Sequence, residues 1–159
     1  MSMVRSIISI VFFGLLVSCQ PETVYDVGAL KPNADGEKTE LKDDLQFMSI
    51  AYRDLFEEEV PPGVLEFMRT AYISLGDKEL VVDRVVQAML SSPDVEIPSQ
   101  TDMLGAKNEF VQTTYRKFLL RDPSSFEEAY WVSQLTENPN LLVKDVYYIF
   151  MTSQEYKYY

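Results

Sequence analysis

The sequence predicts an all-α fold: two tandem three-helix units packed into one helical domain, behind a signal peptide and a flexible tether. Three observations predict it. From Leu41 to the C-terminus the apolar residues recur at helical spacing, as in Met48, Tyr52 and Leu55. That spacing is itself repeated, because Phe47, Met48, Tyr52 and Leu55 return 63 positions later as Phe110, Val111, Tyr115 and Phe118. Helix-starting and helix-stopping residues fall between the periodic runs, notably Pro61-Pro62, Gly76, Asp122-Pro123 and Asn138-Pro139.

Composition narrows the function classes. The chain has 159 residues, 47% of them hydrophobic and 13% aromatic, which is enough apolar matter to fold. A formal net charge of −11 argues against nucleic acid as a partner. Histidine is absent, which removes the commonest general base and the commonest zinc ligand. No catalytic residue, metal or cofactor is therefore assigned, and the chain is not read as an enzyme.

Residues 1–18 read as a lipoprotein signal peptide. Arg5 gives a short positive start, and Ile7 to Val17 form an apolar run of signal-peptide length. The run ends in Leu16-Val17-Ser18-Cys19, which resembles the bacterial lipobox. The resemblance implies that Cys19, the single cysteine, is lipidated and becomes the mature N-terminus. Lipid on Cys19 then ties the protein to the membrane, and two or three acyl chains make such attachment effectively permanent. Gln20 follows the cysteine, and by resemblance to Gram-negative sorting it implies the outer membrane of the cell envelope, with the face left open. Residues 19–40 carry Pro21, Gly28, Pro32 and Gly36 without a periodic apolar pattern, and read as the tether. Some 20 such residues span about 25 Å on average and about 70 Å when taut. Val24, Tyr25, Val27 and Leu30 are its apolar exceptions.

The first unit is expected over 41–95. Its first helix carries Met48, Tyr52 and Leu55. Its middle helix starts at Pro61-Pro62, is lined by Leu65, Met68 and Tyr72, and ends at Gly76. Its last helix carries Val82, Val85, Val86 and Met89. Pro93 to Gln100 links it to the second unit, expected over 101–159, where Thr101 to Ala106 begin the first helix. There Asp122 is expected as the N-cap of the middle helix, with Phe126, Ala129, Tyr130 and Trp131 following. The last helix carries Val143, Val146, Tyr147 and Phe150, 61 positions after its counterparts. The drop in offset from 63 to 61 is expected in the first connection, Glu57 to Pro61 against Leu120 to Asp122.

At Tyr115-Arg116, Arg121-Asp122-Pro123, Ala129-Tyr130-Trp131 and Ser153-Gln154-Glu155-Tyr156 the second unit resembles a bacterial module. This is the phycobilisome-linker-like domain of unknown function found in secreted and surface-layer proteins. The resemblance implies a helical interaction or scaffolding module and brings no active-site residues. Leu120 and Glu127 stand where that family has glycine.

The remaining candidates weigh toward bland roles. Glu57-Glu58-Glu59 reads as a solvated loop, without the spacing of a calcium loop. Asp122 with Glu127 and Glu128 is better explained by helix capping and the helix dipole than by paired-carboxylate catalysis. Arg53 and Arg116 recur at equivalent positions and are expected to tie helix to loop through ion pairs. Tyr148, Tyr158 and Tyr159 lie off the apolar period, and with Trp131 they form the expected interaction patch, since tyrosines favour interfaces. The expected function is a non-catalytic, membrane-anchored scaffolding lipoprotein that docks an envelope protein. The alternative is a glycan- or peptidoglycan-binding module using the C-terminal aromatics.

Overall fold

The computed structural model describes Lys38 and residues 40–158. The signal peptide, Cys19, the tether up to residue 37 with residue 39, and Tyr159 lie outside the described residues. The fold is all-α. Seven α-helices are described: α1 Asp44–Phe56, α2 Pro62–Ser74, α3 Lys78–Leu90, α4 Gln100–Gly105, α5 Lys107–Thr114, α6 Ser125–Glu137 and α7 Val143–Thr152. Helix α5 runs on into a π-helical turn, Tyr115–Leu119, and the chain closes with a 3-10 turn, Glu155–Lys157. No helix among the described residues is long and apolar enough to cross a membrane.

Local chemistry explains the boundaries. Asp43 caps α1, accepting from the Gln46 N–H at 2.9 Å, while the Gln46 side chain accepts from the Asp43 N–H at 2.9 Å. Proline in the first turn starts α2, where its missing N–H costs nothing. Asp77 caps α3 and Ser99 caps α4. Helix α7 has no hydroxyl or carboxylate cap of its own. Instead Asp145 accepts from the Leu142 N–H at 3.0 Å, and Gln100 reaches across from α4 to accept from the Val143 N–H at 3.3 Å.

The bounds repeat. Helix α1 and the α5–π run are each thirteen residues long and start 63 positions apart, at Asp44 and Lys107. Helices α2 and α6 are also thirteen residues each and start 63 apart, at Pro62 and Ser125. Both first helices end on a left-handed residue, Glu57 (φ 57°) and Leu120 (φ 55°). The connections that follow are equal in length, 57–61 and 120–124, which corrects the expected site of the offset change. That change falls between the middle and last helices, and the first half uses its extra residues to begin α3 about a turn earlier.

Helices α1, α2 and α3 contact one another, α5 with its π turn contacts α6 and α7, and α3 packs against α7. One apolar core runs through both groups, with Met48, Leu55, Val86, Met103, Leu135, Val146 and Met151 fully enclosed. Its centre is aromatic. Tyr156 is fully buried, edge-on to Phe47 at 5.6 Å and to Phe118 at 5.9 Å, and its hydroxyl donates to Asp54 at 2.9 Å. The burial of that hydroxyl beside a carboxylate keeps it protonated, well above the ordinary phenol range.

The two ends of the described chain meet. Leu41 and Tyr158 form an isolated antiparallel bridge, and the Lys42 N–H donates to the Lys157 carbonyl at 2.9 Å. The Lys42 ammonium donates to the Tyr156 carbonyl and lies 4.0 Å from the centre of its ring. Lys38 pairs with Glu155 at 3.6 Å. The segment leading in from residue 38 therefore joins the domain beside its C-terminus.

Candidate functional site

Arg121 holds the corner between the π turn and α6. Its guanidinium makes two bonds to Glu127, at 2.9 and 2.7 Å, and two to Glu155, at 2.7 and 2.8 Å. It also donates to the Asp122 carbonyl at 3.2 Å and lies 5.1 Å from the centre of the Tyr115 ring. Planar, two-pronged recognition of two carboxylates is what guanidinium geometry suits. These bonds hold the Glu127 carboxyl down at about 2, and they push Glu155 below its usual range as well. Glu127 is also the partner in the α6 capping box, accepting from the Ser124 N–H at 2.8 Å and its hydroxyl at 2.7 Å.

Ser124, not Asp122, therefore caps α6. Asp122 instead accepts from Arg116 at 2.6 Å in an exposed ion pair. Arg116 thus ties helix to loop as expected, whereas Arg53 has no ion-pair partner among the described residues. The signal for the true cap was present, since Ser124-x-x-Glu127 is the capping-box pattern. The Glu57–Glu59 run is exposed, with Glu57 paired to Lys117 at 3.4 Å and Glu58 accepting from the Tyr52 hydroxyl at 3.3 Å.

Of the four residues of the expected patch, the three described ones are not gathered at one place. Tyr148 lies on the α3–α7 seam, where its hydroxyl donates to Asp83 and its ring lines a cleft of about 540 Å³ with Phe47, Tyr72 and Val82. Tyr158 is half-buried in the bridge to Leu41. Trp131 is half-buried against Phe150, with ring centres 5.2 Å apart. Tyr159 and the lipidation residue Cys19 lie outside the described residues.

The exposed aromatics lie elsewhere. Phe126 is 80% exposed and Tyr130 51%, on a face of α6 that also carries Ala129. Phe67 is 74% exposed on α2, with Val64 one turn before it. Sequence reasoning placed Phe126 and Tyr130 with the lining of the middle helix. In fact Trp131 and Leu135 turn inward, and Phe126 and Tyr130 do not. Helix period alone did not decide this, because α6 is apolar on more than one face.

Together these features define an all-α domain whose second half is locked by an arginine–carboxylate clamp and whose middle helices present bare aromatic side chains. Residues 86–158 match the model of a domain of unknown function, DUF4214. The match begins inside α3 and takes in the clamp, α6, α7 and the C-terminal turn. No curated protein and no solved structure matches the chain.

Proposed function

We propose that the protein is a non-catalytic component of the bacterial cell envelope, anchored to the membrane through lipid on Cys19 and built as a duplicated three-helix unit that docks an envelope protein. The carrying observation is the pair of exposed phenylalanines on the middle helices, Phe126 and Phe67. Phenylalanine has no polar tip, so its exposure suits an apolar pocket on a protein surface better than a sugar, which needs hydrogen-bonding groups alongside. A partner surface with apolar pockets for aromatic side chains fits this arrangement. The lipobox-like Leu16-Val17-Ser18-Cys19 supports the anchor, and Gln20 supports placement in the outer membrane. The repeated helix bounds and the paired left-handed corners support the duplication. The likeness to phycobilisome-linker-like modules supports a scaffolding role.

Mild crosslinking of the lipid-anchored protein in cells, followed by affinity recovery, tests the reading. One stoichiometric envelope protein is expected, and it is lost with Phe126→Ser. Retention on cell-wall resin without a protein partner favours the glycan alternative instead, with the Tyr72 and Tyr148 cleft as its place. Fractionation tests the anchor separately: Cys19→Ala is expected to leave the lipoprotein fraction, and a variant that stays there contradicts the lipid assignment.

A further inference from the structure

Basic side chains are scarce in this chain, fourteen against twenty-five acids, yet four of them line one small hollow. Lys38 and Lys42 come from the entering segment, Arg53 from α1 and Lys117 from the π turn, with Tyr158 closing the wall. The hollow has a volume of about 40 Å³. A single water needs roughly 10–15 Å³ on that measure, so the space suits about three waters or one tetrahedral oxyanion.

The charges are unevenly satisfied. Lys38 is paired outward to Glu155 and Lys117 to Glu57, while Lys42 donates to a carbonyl. Arg53 has no ion pair among the described residues, although its counterpart Arg116, 63 positions on, is held by Asp122. The one carboxyl lining the hollow is Asp54, and the Tyr156 hydroxyl already donates to it. Burial pushes the Asp54 carboxyl up, while the Tyr156 hydroxyl and the nearby Arg53, Lys42 and Lys117 cations pull it down. Burial pushes the Lys42 ammonium down to about 8, with Asp54 opposing that shift.

We propose that this hollow binds a phosphate-sized oxyanion through Arg53, Lys117, Lys42 and Lys38, either free in solution or carried on a lipid headgroup. The basic residues that line the hollow from three segments carry guanidinium and ammonium groups, the donors that phosphate oxygens require. Lys38 lies at the end of the expected tether and Lys42 just beyond it, so a headgroup source lies in the right part of the chain. The proposal does not depend on the docking of a protein at α2 and α6.

The test uses the full chain in dodecylmaltoside micelles and reads the backbone amide resonances of Asp54, Phe118 and Tyr158. Inorganic phosphate is titrated in one arm. In the other, the micelles are doped with phosphatidylglycerol, with zwitterionic phosphatidylcholine as the control. A saturable shift is expected in at least one arm, weakened about tenfold or more in the double variant Arg53→Ala, Lys117→Ala. It is expected to persist in Arg69→Ala, whose side chain pairs with Glu66 on α2. A response to phosphate alone assigns a free oxyanion, and a response to phosphatidylglycerol alone assigns a headgroup. The absence of a response in both arms, or one undiminished in a double variant that still shows a folded spectrum, overturns the proposal.

Discussion

Residues 44–74 and 107–137 carry helices of matching bounds at a constant offset, yet their corners are held in different ways. In the first half Tyr52 stacks on Phe56 at 4.4 Å and donates one long hydrogen bond to Glu58. In the second half the equivalent Tyr115 lies edge-on to Phe150 at 4.9 Å, with Arg121 above it where the first half has Glu58. Arg121 then gathers Glu127 and Glu155. The counterpart of Glu127 is Val64, which has no carboxylate to offer and stands exposed on α2. The final helical turn is plain α in the first half and π in the second. The comparison teaches that the backbone path does not require the clamp. Apolar period and turn length set the path, and the clamp adds a polar lock in one half only.

The largest effect is expected where the halves meet. Tyr156→Ala removes a fully buried ring shared by α1 and the π turn and leaves Asp54 without its donor, so denaturant unfolding should show a loss of about 3–5 kcal/mol. A loss under about 1 kcal/mol would mean that the two halves are stable separately.

Next comes the lock. Arg121→Met should cost about 1–3 kcal/mol, because it strips four charge-assisted bonds from two partly buried carboxylates, leaving Glu155 with Lys38 and Glu127 with Ser124. It should also change the acid limb. The folded Glu127 carboxyl titrates at about 2 against an ordinary 4.5, so its contribution is present above pH 4.5 and is lost as pH falls toward 2. Glu155 shifts in the same direction. Stability curves of wild type and Arg121→Met should therefore converge as pH falls through that window. Parallel curves would remove the lock from the comparison.

A smaller effect separates the two candidate caps. Ser124→Ala should cost about 1 kcal/mol, whereas Asp122→Ala, which breaks only an exposed pair, should stay within about 0.5 kcal/mol. The reverse order would restore Asp122 as the cap.

The smallest effect runs the other way. Glu57 and Leu120 both occupy left-handed backbone, where a Cβ costs about 1–2 kcal/mol and glycine costs nothing sterically. After the greater unfolded entropy of glycine is counted, Glu57→Gly and Leu120→Gly should each raise stability by about 0.5–1 kcal/mol. Unequal gains would show that the two corners are strained differently despite their matching φ angles.

The fold was largely legible because burial imposes a period. Met48, Leu55, Val86, Val146 and Phe150 were read as core from spacing, and all are buried. The 63-residue offset was legible in the first helices and proves equally sharp in the middle ones. Long-range polar partnerships were not legible. Nothing in Arg121-Asp122-Pro123 indicates that the arginine reaches Glu155, 34 positions away, since that contact depends on how α7 returns across the π turn. The meeting of Leu41 with Tyr158 was hidden for the same reason, and Tyr158, so far from Cys19 along the chain, proves adjacent to the entering segment. The expected patch was drawn from residues off the apolar period. Such residues need not be exposed when helices pack on more than one side, as Tyr148 does between α3 and α7.

The docking role of the middle helices is tested most directly by site-specific photocrosslinking in intact cells. A photoreactive amino acid is placed at Phe126, at Phe67 and, for comparison, at the exposed Lys144 of α7. One adduct of defined mass from Phe126 or Phe67, absent from Lys144, is the predicted result. No adduct from either phenylalanine position, or the same products from all three, would contradict it.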